Sequence, residues 1–233
     1  VGIIGSTGFL GKSLVEYLNP RKFQIFSLSR VQKIQISEKV NNIYFDLNNQ
    51  NISNVNHLDC LILAASETSP QSNPDDYALE LKKNILPHIN LLKNLHNSNV
   101  KHIIYFSSGG EVYGNSNKDF LEENDPTNPI TPYGYGKLCI EHALRSIWSH
   151  TKQKYTILRI SNPVGKHQID YKSVRGLIAN VLIKLNKKEK IIVHGNGNAI
   201  RDFFCVEDLC DLVDRILKSQ INTSEIINVS SGV

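Results

Sequence analysis

Short apolar, β-rich runs alternate with segments of helical period through at least residue 160. Residues 1–4 predict a strand, and Phe9–Leu18 a helix with Leu10, Leu14, Val15 and Leu18 on one face. Strands follow at 23–28 and, after a linker without clear pattern, at 42–45. Residues 58–64, apolar apart from Asp59, carry the signature of a strand covered on both faces of a parallel sheet. A helical stretch at 75–95 contains Pro87, which removes a backbone donor and is expected to kink the helix or split it in two. Further strands are predicted at 101–106 and 155–160, with a polar loop and a helix from about Tyr133 between them. Such alternation specifies a doubly wound α/β sheet. After Ser161 the rhythm changes: a helix at 176–185, a short strand at 190–193, an amphipathic helix at 206–217 and a last strand at 226–229.

Composition narrows the class. The 233 residues are 40% hydrophobic and 21% charged, ordinary values that exclude disordered, collagen-like and coiled-coil chains. No apolar run approaches the roughly 18 residues of a membrane-spanning helix, and no secretory signal opens the chain, so a soluble, cytoplasmic protein without membrane partners is expected. Cys60, Cys139, Cys205 and Cys210 show no disulfide or zinc spacing and read as reduced thiols, and the histidines show no metal-ligand pattern. A net charge of +4 with scattered lysines suits a phosphorylated small molecule and falls short of a nucleic-acid footprint. The chain opens on Val1 and lacks Met altogether, which suggests a stretch trimmed at one or both ends.

The first strand runs into Gly5-Ser6-Thr7-Gly8-Phe9-Leu10-Gly11. A tight strand-to-helix turn needs a residue without Cβ, a second glycine lets a pyrophosphate approach the backbone, and a third permits close helix–strand packing. The helix N-terminus then offers free N–H groups and partial positive charge. This loop, with Thr7, Phe9 and Leu10, predicts a dinucleotide site. The second strand ends in Ser29-Arg30, without the carboxylate that usually meets the adenosine 2′-hydroxyl. A hydroxyl and a guanidinium suit a 2′-phosphate, so the cofactor is read as NAD or NADP, with a lean to NADP.

Tyr133 and Lys137 stand one helical turn apart and share a face. A phenol is a poor base at neutral pH, and lowering its pKa by roughly three units is worth about 4 kcal/mol. A neighbouring ammonium and an oxidised nicotinamide both act in that direction. Lys137 can also hydrogen-bond the ribose.

With this pair the sequence resembles the extended short-chain dehydrogenases, specifically the nucleotide-sugar epimerase/dehydratase family. The glycine loop fits that family's cofactor turn, Asp46-Leu47 its adenine contact, and Leu63-Ala64-Ala65 the strand end beneath the cofactor. Asn84 sits where the family has an Asn-x-x-Gly helix. Ser107-Ser108-Gly109-Gly110-Glu111-Val112-Tyr113-Gly114 resembles the family's Ser-Ser-x-x-x-Val-Tyr-Gly segment. Leu158-Arg159-Ile160-Ser161-Asn162-Pro163-Val164-Gly165 resembles its Leu-Arg-x-x-Asn-x-x-Gly motif, whose Asn faces the sugar nucleotide. His194-Gly195-Asn196-Gly197 followed by Arg201-Asp202-Phe203 resembles the segment whose Arg grips the substrate diphosphate.

The resemblance implies a Rossmann-like doubly wound parallel sheet with a small, incomplete substrate-binding lobe. Residues 1–162 would form the NAD(P)-binding domain, with 206–229 returning to it, and 163–205 part of the substrate lobe. It also implies a homodimer. The expected catalytic residues are Tyr133, Lys137, Ser108 and Glu111; Asn162, Arg201 and Ser108 would hold the substrate. Two departures bear on the reaction. Gly109 occupies the position of the Ser or Thr that usually bonds the reacting oxygen, leaving Ser108 one residue early. Gly110-Glu111 replaces the Asp-Glu pair of the 4,6-dehydratases, which argues against dehydration. The expected activity is UDP-sugar 4-epimerisation through a 4-keto intermediate; a 4-keto-sugar reductase using NADPH is the alternative, with a dehydratase or a non-catalytic cofactor-binding regulator behind it.

Overall fold

A computed structural model describes residues 1–21, 23–31, 40–70, 75–170, 173–174, 176–193, 195–219 and 224–232. The strands are β1 (Gly2–Ile4), β2 (Ile25–Ser29), β3 (Val40–Tyr44), β4 (Cys60–Leu63), β5 (His102–Ser108), β6 (Lys154–Ile160), β7 (Asn162–Val164), β8 (Ile169–Asp170), β9 (Ser173–Val174), β10 (Phe203–Cys205) and β11 (Glu225–Val229). The α-helices are α1 (Phe9–Leu18), α2 (Tyr77–Glu80), α3 (Leu86–Leu95), α4 (Gly109–Val112), α5 (Pro132–Trp148), α6 (Leu177–Asn186) and α7 (Val206–Lys218). Seven strands form one sheet in the order β11-β6-β5-β4-β1-β2-β3. Every neighbouring pair in it is parallel. This is the Rossmann-like architecture.

The period of two in each strand distributes the core. Ile3, Ile62 and Ile104 point to one face, where they pack with Leu14, Val15 and Leu18 of α1 and Leu209 and Val213 of α7. Their neighbours Ile4, Leu61, Leu63 and Ile103 point to the other, against Leu91 and Leu95 of α3 and Ile140, Leu144 and Trp148 of α5. β4 is buried at all four positions, which is why its sequence is apolar throughout, while Asp59, one residue before it, is exposed and paired to Lys101.

The stretch around Pro87 resolves into two helices joined by a π turn at Leu81–Ile85, with Pro87 in the first turn of α3. The wider turn removes the need for the N–H that proline lacks and relieves its ring from the carbonyl four residues back. Residues 190–193, expected as a strand, are not one: they lie in irregular backbone with Ile192 and Val193 about two-thirds exposed. Parallel pairing outside the main sheet falls to β7 and β10, in the register Asn162–Phe203, Pro163–Phe204 and Val164–Cys205. The expected linker after the second strand lies largely outside the described residues, as does His194. Among the described residues no helix is long and apolar enough to cross a membrane.

Candidate active site

The C-terminal ends of the sheet strands open into a cavity of about 710 Å³. Its volume lies inside the range of roughly 300–1,000 Å³ typical of small-molecule and cofactor sites. Of the glycine loop it takes Gly5, Thr7, Gly8, Phe9 and Leu10. Ser29, Arg30, Asp46 and Leu47 line the end beneath β2 and β3, and Ala64, Ala65 and Asn84 the middle. Ser108, Tyr133, Lys137 and Asn162 line the far end. Gly11, Leu63, Glu111 and Arg201 do not reach it.

Each absence has a local cause. A Cβ on Gly11 would lie 2.2 Å from the Gly5 carbonyl oxygen, so Gly11 serves the packing of α1 onto the loop. Leu63 is fully buried within β4. Glu111 accepts a 2.7 Å hydrogen bond from the Thr131 hydroxyl, which itself caps α5 by accepting from the Gly134 N–H at 3.0 Å. Its carboxylate therefore supports the helix start just before Tyr133. Arg201 is exposed and donates to the Ile200 carbonyl.

The loop is built for backbone approach. Gly5 has φ of +86°, and a Cβ there would lie 2.7 Å from the Ala65 backbone. At Gly8 a Cβ would meet only the Gly5 carbonyl oxygen, at 3.4 Å, so the cavity wall there is bare backbone. A pyrophosphate needs that surface at a helix N-terminus, and the residues present fit a dinucleotide.

Thr131 and Pro132 start α5 in the manner of a capped helix with proline in its first turn, placing Tyr133 at the cavity and Lys137 one turn further in. Lys137 is 6% exposed. Its Nζ donates to the Phe106 carbonyl at 2.7 Å and stands 5.5 Å from the Tyr133 ring centre. Burial pushes its ammonium down to about 8, while Glu80 and Glu141 oppose the fall. An ammonium under this pressure is a strong local donor beside the phenol.

Two glycines between Tyr133 and Lys137 let α5 sit close to its neighbours. A Cβ on Gly136 would lie 2.2 Å from Glu80 Oε1, and one on Gly134 2.9 Å from the Glu111 carbonyl oxygen. Glu80 is buried and its carboxyl is raised by that burial. It accepts from the Thr68 hydroxyl and, at 3.0 Å, from Asn84 Nδ2. Asn84 lies in the π turn, where its Oδ1 accepts from the Glu67 N–H at 3.0 Å. This asparagine thus ties the loop after β4 to the helix bearing Glu80. Sequence reading found Asn84 but not Glu80, Thr68 or Glu67, whose significance comes from distant residues folding together.

Gly109 is explained by contact with β6: a Cβ would lie 2.9 Å from the Arg159 carbonyl oxygen. A Ser or Thr there would press on backbone, and the cavity instead receives Ser108. At the β2 end, the Ser29 hydroxyl donates to the Val31 carbonyl at 3.0 Å, and Arg30 is ion-paired to Glu67 at 2.5 Å.

The family model described as the NAD dependent epimerase/dehydratase family matches residues 1–230. The dTDP-4-dehydro-6-deoxyglucose reductase of Escherichia coli is 28% identical over 249 residues, covering 99% of this chain and 76% of its own length. The UDP-glucose 4-epimerase of Halalkalibacterium halodurans is 27% identical over 227 residues, covering 91% and 67%. The crystal structure of the Thermus thermophilus UDP-glucose 4-epimerase in complex with NAD aligns with a TM-score of 0.85 at 24% identity, covering 100% of this chain and 78% of that one.

Proposed function

The chain belongs to the NAD dependent epimerase/dehydratase family and is an enzyme of that type, and we propose that it is a nucleotide-sugar 4-epimerase of the UDP-sugar class. The observation that carries this reading is the Tyr133–Lys137 pair set in the wall of the same cavity as the glycine loop and Asn162. A bound nicotinamide supplies reversible hydride acceptance, the one capability the side chains lack. Tyr133 takes the proton of the C4 hydroxyl as that carbon is oxidised, and returns it when the 4-keto sugar is reduced on its other face. Lys137 holds positive charge beside the phenol and favours its ionised form. Ser108 polarises the reacting oxygen in the role left open by Gly109. Asn162 contacts the sugar nucleotide; Arg201 stands exposed outside the cavity in this structure and would have to turn in to grip the diphosphate.

Gly5, Thr7, Gly8, Phe9 and Leu10 with Ser29, Arg30, Asp46, Leu47, Ala64, Ala65 and Asn84 form the NAD(P) site in this proposal, with Gly11 and Leu63 shaping it from behind. Residues 163–205 belong to the substrate lobe. Exposed Tyr77, Leu81, Leu86 and Tyr135 support association of two copies through this side of the molecule. Four free cysteines support a reducing, cytoplasmic setting.

A one-way 4-keto-sugar reductase is the second reading, favoured by Arg30 at the adenosine end and by the Escherichia coli relative. Mass spectrometry of nucleotides retained on purification separates the two. Retained NAD, with interconversion of C4 epimers in a panel of UDP-, GDP- and dTDP-sugars, supports epimerisation. Stoichiometric NADPH consumption with a keto sugar supports reduction instead. Undetectable hydride exchange across the panel overturns both.

A further inference from the structure

We propose that Glu67 selects the dinucleotide by acting as the built-in counter-ion of Arg30 and Lys83 at the adenosine end of the cavity. This deepens the proposed cofactor site and rests on it. Arg30 directly follows β2, where a carboxylate or a cation ordinarily decides between a ribose 2′-hydroxyl and a 2′-phosphate. Read alone, Arg30 favours the phosphate. In the folded protein its Nη1 lies 2.5 Å from Glu67 Oε1, and Lys83 Nζ lies 3.1 Å from Glu67 Oε2. All three side chains line the cavity.

Glu67 is not a loose surface carboxylate. Its side chain is 26% exposed, against 58% for Arg30 and 43% for Lys83. Its backbone N–H is fixed to the buried Asn84 Oδ1, which the Glu80–Thr68 group holds in place. Because β4 and β2 flank β1 in the sheet, the bridge from Glu67 to Arg30 spans the end of the strand that delivers the glycine loop. The carboxylate missing from the β2 end is thus supplied by the loop after β4.

The electrostatic consequence is a competition. A 2′-phosphate carries nearly two negative charges and must displace Glu67 to reach the two cations, leaving a carboxylate stranded beside it. A 2′-hydroxyl adds no charge, leaves both ion pairs intact and gains Glu67 as an acceptor. The chain is therefore an NAD binder that carries a masked NADP site.

Binding of NAD⁺ and NADP⁺ to the purified protein, measured by calorimetry after removal of retained nucleotide, tests this without turnover. Glu67→Gln removes the charge and keeps the shape. It should tighten NADP⁺ at least tenfold while NAD⁺ changes less than threefold, and adding Arg30→Gln should cancel the gain. An NAD⁺/NADP⁺ affinity ratio unchanged by Glu67→Gln overturns the proposal alone. A parent protein that binds neither dinucleotide overturns the cofactor reading and the proposal together. If Glu67→Gln does not fold, Glu67→Ser takes its place: the proposal requires the NADP⁺/NAD⁺ affinity ratio to rise at least tenfold, and an unchanged ratio overturns it.

Discussion

The Lys137 ammonium donates to the Phe106 carbonyl oxygen over 2.7 Å, so α5 is bolted to β5 two residues before that strand ends at Ser108. One bond thereby sets the spacing between the phenol-bearing helix and the strand that delivers the serine. It also holds a charge in a buried place, at a cost that pH can reveal.

Lys137 is pushed from 10.5 down to about 8 by burial. The penalty of burying its charge is present in full below about pH 8 and is relieved as pH rises from 8 to 10.5, where the unfolded chain binds the proton more tightly. The shift corresponds to about 3 kcal/mol, against which the lost bond to Phe106 sets about 1 kcal/mol. Lys137→Met should therefore be inactive yet more stable than the parent at pH 7. Urea unfolding from pH 7 to 10 should show that advantage shrinking; a variant less stable at every pH contradicts the argument.

His88 acts in the same sense, over the acid range. Burial holds its imidazole down at about 4, and its Nδ1 is engaged with the Asn84 carbonyl oxygen at 2.8 Å. Below pH 6.5 the unfolded chain takes up a proton that the folded one refuses, so stability falls as pH drops towards 4. His88 accounts for about 2 kcal/mol of that loss between pH 8 and pH 5. Replacing it with Gln should flatten the acid limb of the stability profile by this amount. An unchanged slope would assign the acid sensitivity elsewhere.

Glu141 and Arg159 form an ion pair at 2.8 Å with side chains 1% and 4% exposed. Arg159 also donates to the Tyr113 hydroxyl and the Glu123 carbonyl, and Ser107 donates to Glu141, so the pair joins α5, β5 and β6. Glu141→Ala strands a buried guanidinium, at a cost of roughly 3–5 kcal/mol, and calorimetry should show melting at least roughly 6 °C lower. The exposed Asp211–Arg215 pair on α7 is the contrast: Arg215→Ala should leave the melting temperature essentially in place.

Gly5→Ala meets two obstacles at once, a φ of +86° and the Ala65 backbone 2.7 Å from the new Cβ. Neither neighbour is a side chain that can swing away. Loss of more than about 2 kcal/mol is expected, together with loss of dinucleotide binding. Gly8→Ala, which meets only one atom at 3.4 Å, should fold normally and fail chiefly in binding. Thermal melting and calorimetry on the two variants separate these effects.

Much of this was legible in the chain because it is encoded locally. The bounds of α1 follow from its apolar stripe, and the glycine loop and the Tyr133–Lys137 spacing are short patterns that gain their meaning from standing in order along the strand–helix alternation. What was not legible depends on residues far apart in sequence. The 190–193 run has the composition of a strand but no partner among the described residues, whereas Phe203–Cys205 pairs with Asn162–Val164 despite being only three residues long. The ion pair of Arg30 with Glu67 spans 37 residues and is likewise invisible to local reading. The bond from Thr131 to the Glu111 carboxylate joins residues twenty apart and shows in no local pattern. Pattern reading identifies which groups can ionise; it does not reveal which have already found a counterpart.

The short parallel pair formed by β7 and β10 has a wider meaning. β7 follows β6 after Ser161 alone, and β10 runs without interruption into α7. The intervening residues 165–202 leave and re-enter the main body through adjacent strands, like a cassette plugged into a fixed socket. Their sequence can drift, or be exchanged with that of a relative, while the socket keeps both ends in register. On the proposed function, in which this segment belongs to the substrate lobe, such an exchange would alter ligand preference and leave the chemistry of the frame in place.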